Sequence, residues 1–359
     1  MQLPTAPYRS FASDNASGAH PAVLDAVAAA NDGHALAYGD DRWTRECESL
    51  FRELFGRGES YLAFNGTGSN VFGLLALLRP AEAVVCAAGA HIDVDETGAG
   101  ERILGAKLIP LATPRTGPAA GKIVPEQLAE LGWMFGSEHH VQPAVVSITQ
   151  STELGTVYTP DEVAALADAA HAMGMRVHMD GARIANATAA LGASRGVLRA
   201  CTVDAGVDVI TFGGTKNGLL GGEAVVFLDE ALAARARYLR KSVGQLPSKM
   251  RFVAAQFIAL LGDDLWLRNA AHANEMAGRL FAAVHDLPGV DVDPPAVNGL
   301  FPVLPRPVIA ALQAWSFFWE WDPARAQVRW MTSWDTTDDD LERFVAGVTC
   351  ATAEPALAD

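Results

Sequence analysis

Between about residue 21 and residue 245, short apolar runs rich in valine and isoleucine alternate with alanine-rich segments of helical periodicity. A helix between two strands carries the chain back across a sheet, so that consecutive strands can pair in parallel. The alternation therefore predicts an α/β fold built on a mostly parallel sheet. In such sheets ligands bind beyond the carboxyl ends of the strands.

One strand–helix–strand unit can be followed residue by residue. Residues 144–149 form an apolar run that predicts a strand. Residues 159–162, Thr-Pro-Asp-Glu, supply a helix N-cap, a proline at the first helical position and a capping-box glutamate, and Gly174 ends the helix. Residues 176–179 predict the next strand. Asp180 is therefore expected at the carboxyl end of that strand, where ligands bind.

The pattern changes beyond residue 250. A long helical stretch runs to about residue 287, strand-like segments follow at 298–304 and 327–333, and a closing helix is predicted over 338–349. This order is typical of a smaller α+β domain. Near the N-terminus, prolines and turn residues break any period. The chain is predicted to have three parts: an irregular arm (1–20), a large domain (21–245) and a small C-terminal domain (246–359).

The charge balance argues against nucleic acid as a partner. The chain has 27 lysines and arginines against 42 aspartates and glutamates, a formal net charge of −15. No cluster of basic residues is longer than the pair Arg240-Lys241, so a surface that follows a phosphate backbone is not expected. An anionic ligand must be held by a local group of donors, because the field of the whole protein opposes its approach.

The cysteines and the apolar runs predict a cytoplasmic protein. Cys47, Cys86, Cys201 and Cys350 are far apart and lack the paired spacing of a zinc site or a disulfide framework. No metal is expected. The sequence has neither a leader-like apolar segment at its start nor a run of about 18 apolar residues. A membrane partner is not expected either.

Three local features point to a pyridoxal-phosphate (PLP) site. Residues 65–70, Asn-Gly-Thr-Gly-Ser-Asn, form a turn between an apolar run and a helix, where free amides can hold an anion. Asp180 offers a carboxylate for a pyridine nitrogen. Lys216 lies within Gly-Gly-Thr-Lys-Asn-Gly after an apolar run, where burial favours the uncharged, nucleophilic amine. A phosphate cradle, a carboxylate and a Schiff-base lysine are what PLP requires.

Each of these features also has an ordinary structural interpretation. The glycine turn could join a strand to a helix without a ligand, Asp180 could cap a helix, and Lys216 could be a solvated surface lysine. Asp180 and Lys216 are 216 − 180 = 36 residues apart. That separation leaves room for a helix and a strand, so both residues can lie at the same sheet edge.

Further motifs identify a family by resemblance. Four of them resemble, in their order along nearly the whole chain, the L-threonine aldolases of PLP fold type I: Ser13-Asp14, Tyr38-Gly39-Asp40-Asp41, His91 with Glu96, and Asp180-Gly181-Ala182-Arg183. Residues 213–218 and 149–155 resemble the Pseudomonas-type branch, where other members carry Ser-Lys-Gly and Glu-Asn-Thr. The resemblance implies PLP as cofactor, an aspartate-aminotransferase-like large domain and a homo-oligomer, either dimer or tetramer.

The same resemblance implies roles for individual residues. Lys216 would bind PLP covalently, Asp180 would pair with the pyridinium nitrogen, and His91 would stack on the cofactor ring. Gly66, Thr67 and Gly68 would hold the phosphate, and Arg183 would contribute to both the cofactor and the substrate site. Ser13, Tyr38 and Arg329 are implied for the substrate, with Arg329 suited to a carboxylate because its guanidinium binds in a bidentate manner. His139 is implied as a second active-site histidine, and His140 is its rival.

The activity implied is the reversible cleavage of L-threonine, L-allo-threonine and related β-hydroxy-α-amino acids such as phenylserine to glycine and an aldehyde. A base must remove the proton of the β-hydroxyl group. His91, His139 and a water held by them all remain open as that base. The alternatives are β-elimination or serine hydroxymethyl transfer on the same cofactor, and a non-catalytic protein that binds PLP.

Overall fold

Ten strands form two sheets within residues 3–353, the part of the chain that the computed structural model describes. Their bounds are β1 Glu59–Ala63, β2 Glu82–Ala87, β3 Lys107–Leu111, β4 Gln142–Thr149, β5 Arg176–Gly181, β6 Val209–Gly213, β7 Glu223–Phe227, β8 Gly299–Leu300, β9 Trp319–Asp322 and β10 Gln327–Met331. The main sheet has the order β1-β7-β6-β5-β4-β2-β3, and the small sheet has the order β8-β10-β9.

The α-helices of the same residues are α1 Pro21–Ala30, α2 Arg42–Phe55, α3 Gly66–Leu77, α4 His91–Val94, α5 Ala99–Leu104, α6 Pro125–Ala129, α7 Pro160–Ala172, α8 Ile184–Ala190, α9 Arg195–Ala200, α10 Ala236–Ser242, α11 Met250–Leu261, α12 Leu265–Val284, α13 Arg306–Trp315 and α14 Asp338–Ala353. Between residues 3 and 353, no helix is long and apolar enough to cross a membrane.

The strands of the main sheet run parallel except for β7, which is antiparallel to both β1 and β6. The central strands β4, β5 and β6 end at the same level of the sheet. Thr149 of β4 lies opposite Asp180 of β5, and Asp180 lies opposite Thr211 of β6. The chain therefore leaves β4, β5 and β6 at one edge of the sheet, and Asp180 and Lys216 both lie there.

The capping residues predicted for α7 act as expected. The Thr159 hydroxyl accepts a hydrogen bond from the Glu162 amide at 3.2 Å, and the Glu162 carboxylate accepts one from the Thr159 amide at 2.7 Å. Gly174 follows the helix with a left-handed φ of 79°. These local signals place α7 between β4 and β5, as the sequence predicts.

Helix α3 crosses the main sheet at close range. It contacts β5, β6 and β7, and a side-chain carbon at Gly73 would lie 3.4 Å from the His178 ring and from Val209. The glycine therefore permits the short distance between helix and sheet. As a result, the first turns of α3 lie close to the central strands, and Asn70 reaches Asp180 of β5.

The long helical stretch predicted beyond residue 250 is divided in the structure. Asp263 and Asp264 have φ values of 47° and 52°, which end α11 and separate it from α12. Helix α11 contacts α1 and α2, and it contributes to the main hydrophobic core. The division into domains at residue 245 stays a prediction. Residues 1–2 of the predicted arm and 354–359 of the predicted small domain lie outside the described residues.

The N-terminal arm is attached to the small sheet. Phe11 belongs to the second hydrophobic core, where its ring stacks on that of Phe344 at 4.2 Å, and its carbonyl accepts a hydrogen bond from the Met331 amide. Arg9 forms ion pairs with Asp335 at 3.2 Å and with Asp340 at 3.0 Å. These contacts fix the residues that follow, including Ser13 and Asp14.

We expect Phe11→Ala to destabilise the protein by about 3 kcal/mol, because it leaves a cavity in the second core. Urea unfolding followed by tryptophan fluorescence measures the change. Tyr8→Ala is the matched control, since Tyr8 lies in the same arm with 89% of its surface exposed. Equal unfolding midpoints for the two variants would show that the arm contributes little to stability.

Candidate active site

A cleft of about 1000 Å³ lies at the carboxyl edge of the main sheet and extends to the small sheet. Its walls come from the loops that follow β2 to β6, from the arm and from β10. Residues of the wall that matter for its chemistry are Ser13, His91, Glu153, Arg183, Lys216 and Arg329. The cleft therefore collects side chains from segments that are far apart in the sequence.

Lys216 lies in a short 3-10 turn after β6 and is half-buried. Burial lowers the pKa of its amine, the nearby Arg183 acts in the same direction, and Asp14, Asp180 and Glu223 oppose the shift. Gly213 precedes this turn, and any side chain there would collide with the main chain of Ala182. Glycine is therefore required for the loops after β5 and β6 to lie side by side.

Asp180 and His91 are joined through two buried polar residues. The Asn70 amide group of α3 donates to Asp180 Oδ2 at 2.7 Å and to Glu96 Oε1 at 3.0 Å. The same Glu96 oxygen lies 2.9 Å from His91 Nδ1. Ala182 N donates to the other oxygen of Asp180 at 2.9 Å. Asn70 and Glu96 therefore connect Asp180 with His91, the two residues that were predicted to contact the cofactor ring.

The protonation of His91 depends on this connection. Its hydrogen bond to Glu96 raises the pKa of His91, burial opposes the shift, and the charge of Asp180 adds to it. The interaction of His91 with Glu96 therefore makes its full contribution to the free energy of unfolding at pH values below the ordinary histidine pKa. This contribution is lost as the pH rises through the raised pKa.

Arg183 is held by Asp14 of the arm. Its Nε and Nη2 atoms donate to the two carboxylate oxygens at 2.7 and 2.8 Å, and Asn298 donates to Asp14 at 3.1 Å. Burial alone would raise the pKa of Asp14, but the charge and hydrogen bonds of Arg183 outweigh burial and hold that pKa at about 2. One edge of the Arg183 guanidinium is thus already occupied.

Arg329 of β10 is the second guanidinium in the cleft. Its Nη2 donates to the Ala12 carbonyl at 3.3 Å, and its Cζ lies 4.6 Å from the centre of the Trp321 ring. Its Nε is buried and has no hydrogen-bond partner among the described residues. Burial lowers the pKa of Arg329 to about 10. An unpaired buried donor of this kind is suited to an anionic ligand.

The glycine turn opens α3 at the same edge of the sheet. The Asn65 side chain accepts from the Gly68 amide at 2.8 Å, which leaves the amides of Gly66 and Thr67 for another acceptor. A side chain at Gly68 would collide with Gln245. Neither the turn nor Asp180 belongs to the wall of the large cleft. Both are connected to the cleft through α3. This helix begins with the turn, and its Asn70 donates hydrogen bonds to Asp180 and to Glu96.

The structure does not support the expectation for His139. Its side chain is 83% exposed, and it precedes β4, whereas the cleft lies beyond the end of β4. A strand of eight residues separates the two edges by about 25 Å. His140 lies at the same edge as His139, against Trp133. Neither histidine lines the cleft of its own chain.

Tyr38 is likewise outside the cleft of its own chain. It is exposed, has a left-handed φ of 63°, and its ring centre lies 4.7 Å from Lys241 Nζ. A role for Tyr38 with the substrate would therefore require a second subunit.

Three residues of the site received no role from the sequence. Asn70, Asp14 and Glu153 all stand within the quoted motifs, but each has a hydrogen-bond partner 26 or more residues away. One sequence signal could have identified Asn70: it is a polar residue next to the apolar Val71 in a predicted helix, and both are buried in the structure.

The profile of the beta-eliminating lyases matches residues 10–305. The chain belongs to the beta-eliminating lyase family. Within that family it is similar to the low specificity L-threonine aldolase of Pseudomonas aeruginosa, with 44% identity over 340 residues, or 93% of this chain and 94% of that protein. The resemblance to L-threonine aldolases that the motifs indicate is confirmed.

Solved structures of other proteins agree with the fold. A threonine aldolase from Leishmania major superposes with a TM-score of 0.87 at 31% identity, covering 98% of this chain and all of that one. Histidinol-phosphate aminotransferase from Sinorhizobium meliloti, solved with pyridoxal-5'-phosphate, has a TM-score of 0.69 at 16% identity and covers 98% of this chain and 91% of that one, which supports the shared fold alone. The predicted α/β, fold-type-I architecture is confirmed.

We expect Glu96→Gln to lower the pKa of His91, because a neutral amide stabilises the imidazolium less than a carboxylate does. An NMR titration of the histidine ring protons, made on the protein without cofactor, measures this pKa directly. Glu101→Gln, an exposed change on α5, is the control and leaves the His91 titration unchanged. If the His91 midpoint stays in place in Glu96→Gln, the two residues are not coupled.

Proposed function

We propose that this protein is a PLP-dependent aldehyde-lyase that cleaves L-threonine, L-allo-threonine and related L-β-hydroxy-α-amino acids to glycine and an aldehyde. The observation that carries the proposal is the position of Lys216, Asp180 and the Gly66–Gly68 turn at one edge of the sheet. The names of the similar proteins, an L-threonine aldolase of Pseudomonas aeruginosa and a threonine aldolase of Leishmania major, support the same substrate class.

The residues present fit PLP. The Gly66 and Thr67 amides at the start of α3 suit its phosphate, whereas the Gly68 amide is bound by the Asn65 side chain. Asp180 receives hydrogen bonds on both oxygens, from Asn70 and Ala182, and these hold in place the carboxyl group that a pyridinium nitrogen needs. Lys216 suits the cofactor aldehyde, because burial favours its uncharged amine. When bound, PLP supplies an electron sink for the pair released at Cα of the substrate.

The substrate carboxylate is proposed to bind between Arg329 and Arg183, beside Ser13. Because Asp14 occupies the Nε and Nη2 atoms of Arg183, Arg329 is the guanidinium that is left to form a bidentate pair. The unpaired Nε of Arg329 supports this assignment. His91, on the wall of the same cleft, is proposed to cover the cofactor ring and to add positive charge above it.

We further propose a cytoplasmic homo-oligomer, dimer or tetramer, in which Tyr38 of one subunit acts in the cleft of a neighbour. The segment around Tyr38 exposes Leu36 to 73% and Tyr38 to 51%. Large apolar side chains that stand together at a surface are typical of subunit interfaces.

Lys216→Ala tests the proposed function. We expect the wild-type protein to be yellow with PLP and to release glycine and acetaldehyde from L-threonine, and the variant to lose both colour and cleavage. Acetaldehyde is followed with alcohol dehydrogenase, and pyruvate from L-serine reports β-elimination instead. Lys107→Ala, an exposed lysine at the start of β3, is the control. A wild-type protein that binds PLP but forms pyruvate alone would overturn the aldolase assignment.

Arg329→Lys tests the carboxylate site. We expect KM for L-threonine to rise roughly tenfold or more while the PLP spectrum stays normal, because lysine keeps the charge but loses the bidentate pair. Steady-state kinetics separates KM from kcat. Arg325→Lys, an exposed neighbour before β10, leaves both unchanged. Loss of PLP binding in Arg329→Lys would place Arg329 with the cofactor rather than with the substrate.

A further inference from the structure

The base that removes the proton of the β-hydroxyl group is the open question of this site. His139 lies at the opposite edge of the sheet and is excluded within its own chain. His91 has Nδ1 committed to Glu96 and is already proposed to cover the cofactor ring. His139 is therefore poorly placed for this task, and His91 already has another one.

The carboxylates on the cleft wall differ in their surroundings. Among the described residues they are Asp93, Asp95, Glu153 and Glu320. Asp95 and Glu320 are exposed, and Asp93 belongs to the first turn of α4. Glu153 lies in the loop after β4, between the end of that strand and the start of α4. Its carboxylate is hydrogen-bonded to both of these elements.

The Glu153 carboxylate is fixed through one of its two oxygens. Glu153 Oε1 accepts hydrogen bonds from the His91 amide and from the Thr149 hydroxyl, both at 2.8 Å. Neither bond uses Oε2. The carboxylate is thus held in one orientation on the cleft wall, and its second oxygen is not engaged by these two donors.

We propose that Glu153 accepts the proton of the substrate β-hydroxyl group. This inference rests on the proposed function, since it names a residue for the reaction of that same site. In this step the O–H bond breaks and its proton moves to Glu153. The electron pair of that bond forms the carbonyl of the aldehyde, the Cα–Cβ bond breaks, and its pair stays with the glycine fragment. A proton delivered to Cα completes glycine and balances the reaction.

The electrostatics of Glu153 suit a proton acceptor. Burial raises its pKa, the two hydrogen bonds on Oε1 oppose the shift, and the charge of Asp180 adds to it. The titratable groups that interact with it are Cys86, Tyr158, Asp180 and Arg183. A carboxyl group with a raised pKa is a stronger base than an exposed glutamate.

The test compares Glu153→Gln with Glu153→Ala. Glutamine keeps an oxygen that can accept from the His91 amide and the Thr149 hydroxyl, but it cannot take up a proton. We expect both variants to lose kcat for L-threonine by about a hundredfold or more, with KM and PLP affinity near the wild-type values. Absorbance titration with PLP and a thermal melt check the cofactor site and the fold. Glu130→Gln, an exposed glutamate, is the control for the carboxylate-to-amide change.

Two further measurements keep the proposal falsifiable if a variant is unstable. The wild-type kcat should fall on the acid side as Glu153 becomes protonated, and this limb should be absent from the residual activity of Glu153→Gln. Formate, a small carboxylate, should restore part of the activity of Glu153→Ala. If Glu153→Gln keeps kcat within a few-fold while Glu153→Ala does not, the residue only positions His91. Failure of the wild-type protein to cleave L-threonine would instead overturn the proposed function itself.

Discussion

The parallel pairing of β4, β5 and β6 determines where the functional side chains of this protein lie. Because Thr149, Asp180 and Thr211 stand level across these strands, the three loops that follow leave the sheet at one edge. A shift of the register by two residues would move Asp180 by about 7 Å relative to its neighbours. Asp180 would then lose contact with Asn70, and the loop of Lys216 would no longer lie beside it. The backbone hydrogen bonds of the sheet therefore determine the chemistry of the cleft.

Much of this arrangement could be predicted from the sequence, because it depends on local signals. The capping box at Thr159 and the apolar run before Asp180 act over a few residues, and the structure places both as expected. His139 shows where such reasoning fails, since closeness to a strand in sequence does not tell which end of the strand a residue occupies. Asn70 contacts Asp180, 110 positions away, and Glu153 contacts His91, 62 positions away, in addition to the nearby Thr149. No local pattern encodes the two distant pairs.

The electrostatics of the cleft differ from those of the whole molecule. The chain carries a formal charge of −15, yet Arg183, Arg329 and Lys216 share one cleft. Burial lowers the pKa of Lys216 and of Arg329, whereas the ion pair with Asp14 keeps Arg183 fully charged. The cleft thus offers fixed positive charge for an anionic substrate beside an amine that is readily uncharged. The buried Asp14 forms its ion pair with Arg183, and its charge opposes the lowering of the pKa of Lys216 and of Arg329.

The attachment of the arm has a consequence for how the chain becomes functional during synthesis. Arg9 and Asp340 are 331 residues apart, and the Phe11 carbonyl pairs with β10, near the other end of the chain. Lys216 and Asp180 can be brought together once β6 has left the ribosome. Asp14 is placed against Arg183 only after β10 and α14 have also emerged. A nascent chain that stops before residue 331 therefore has the residues of the proposed cofactor site but lacks a finished proposed substrate site.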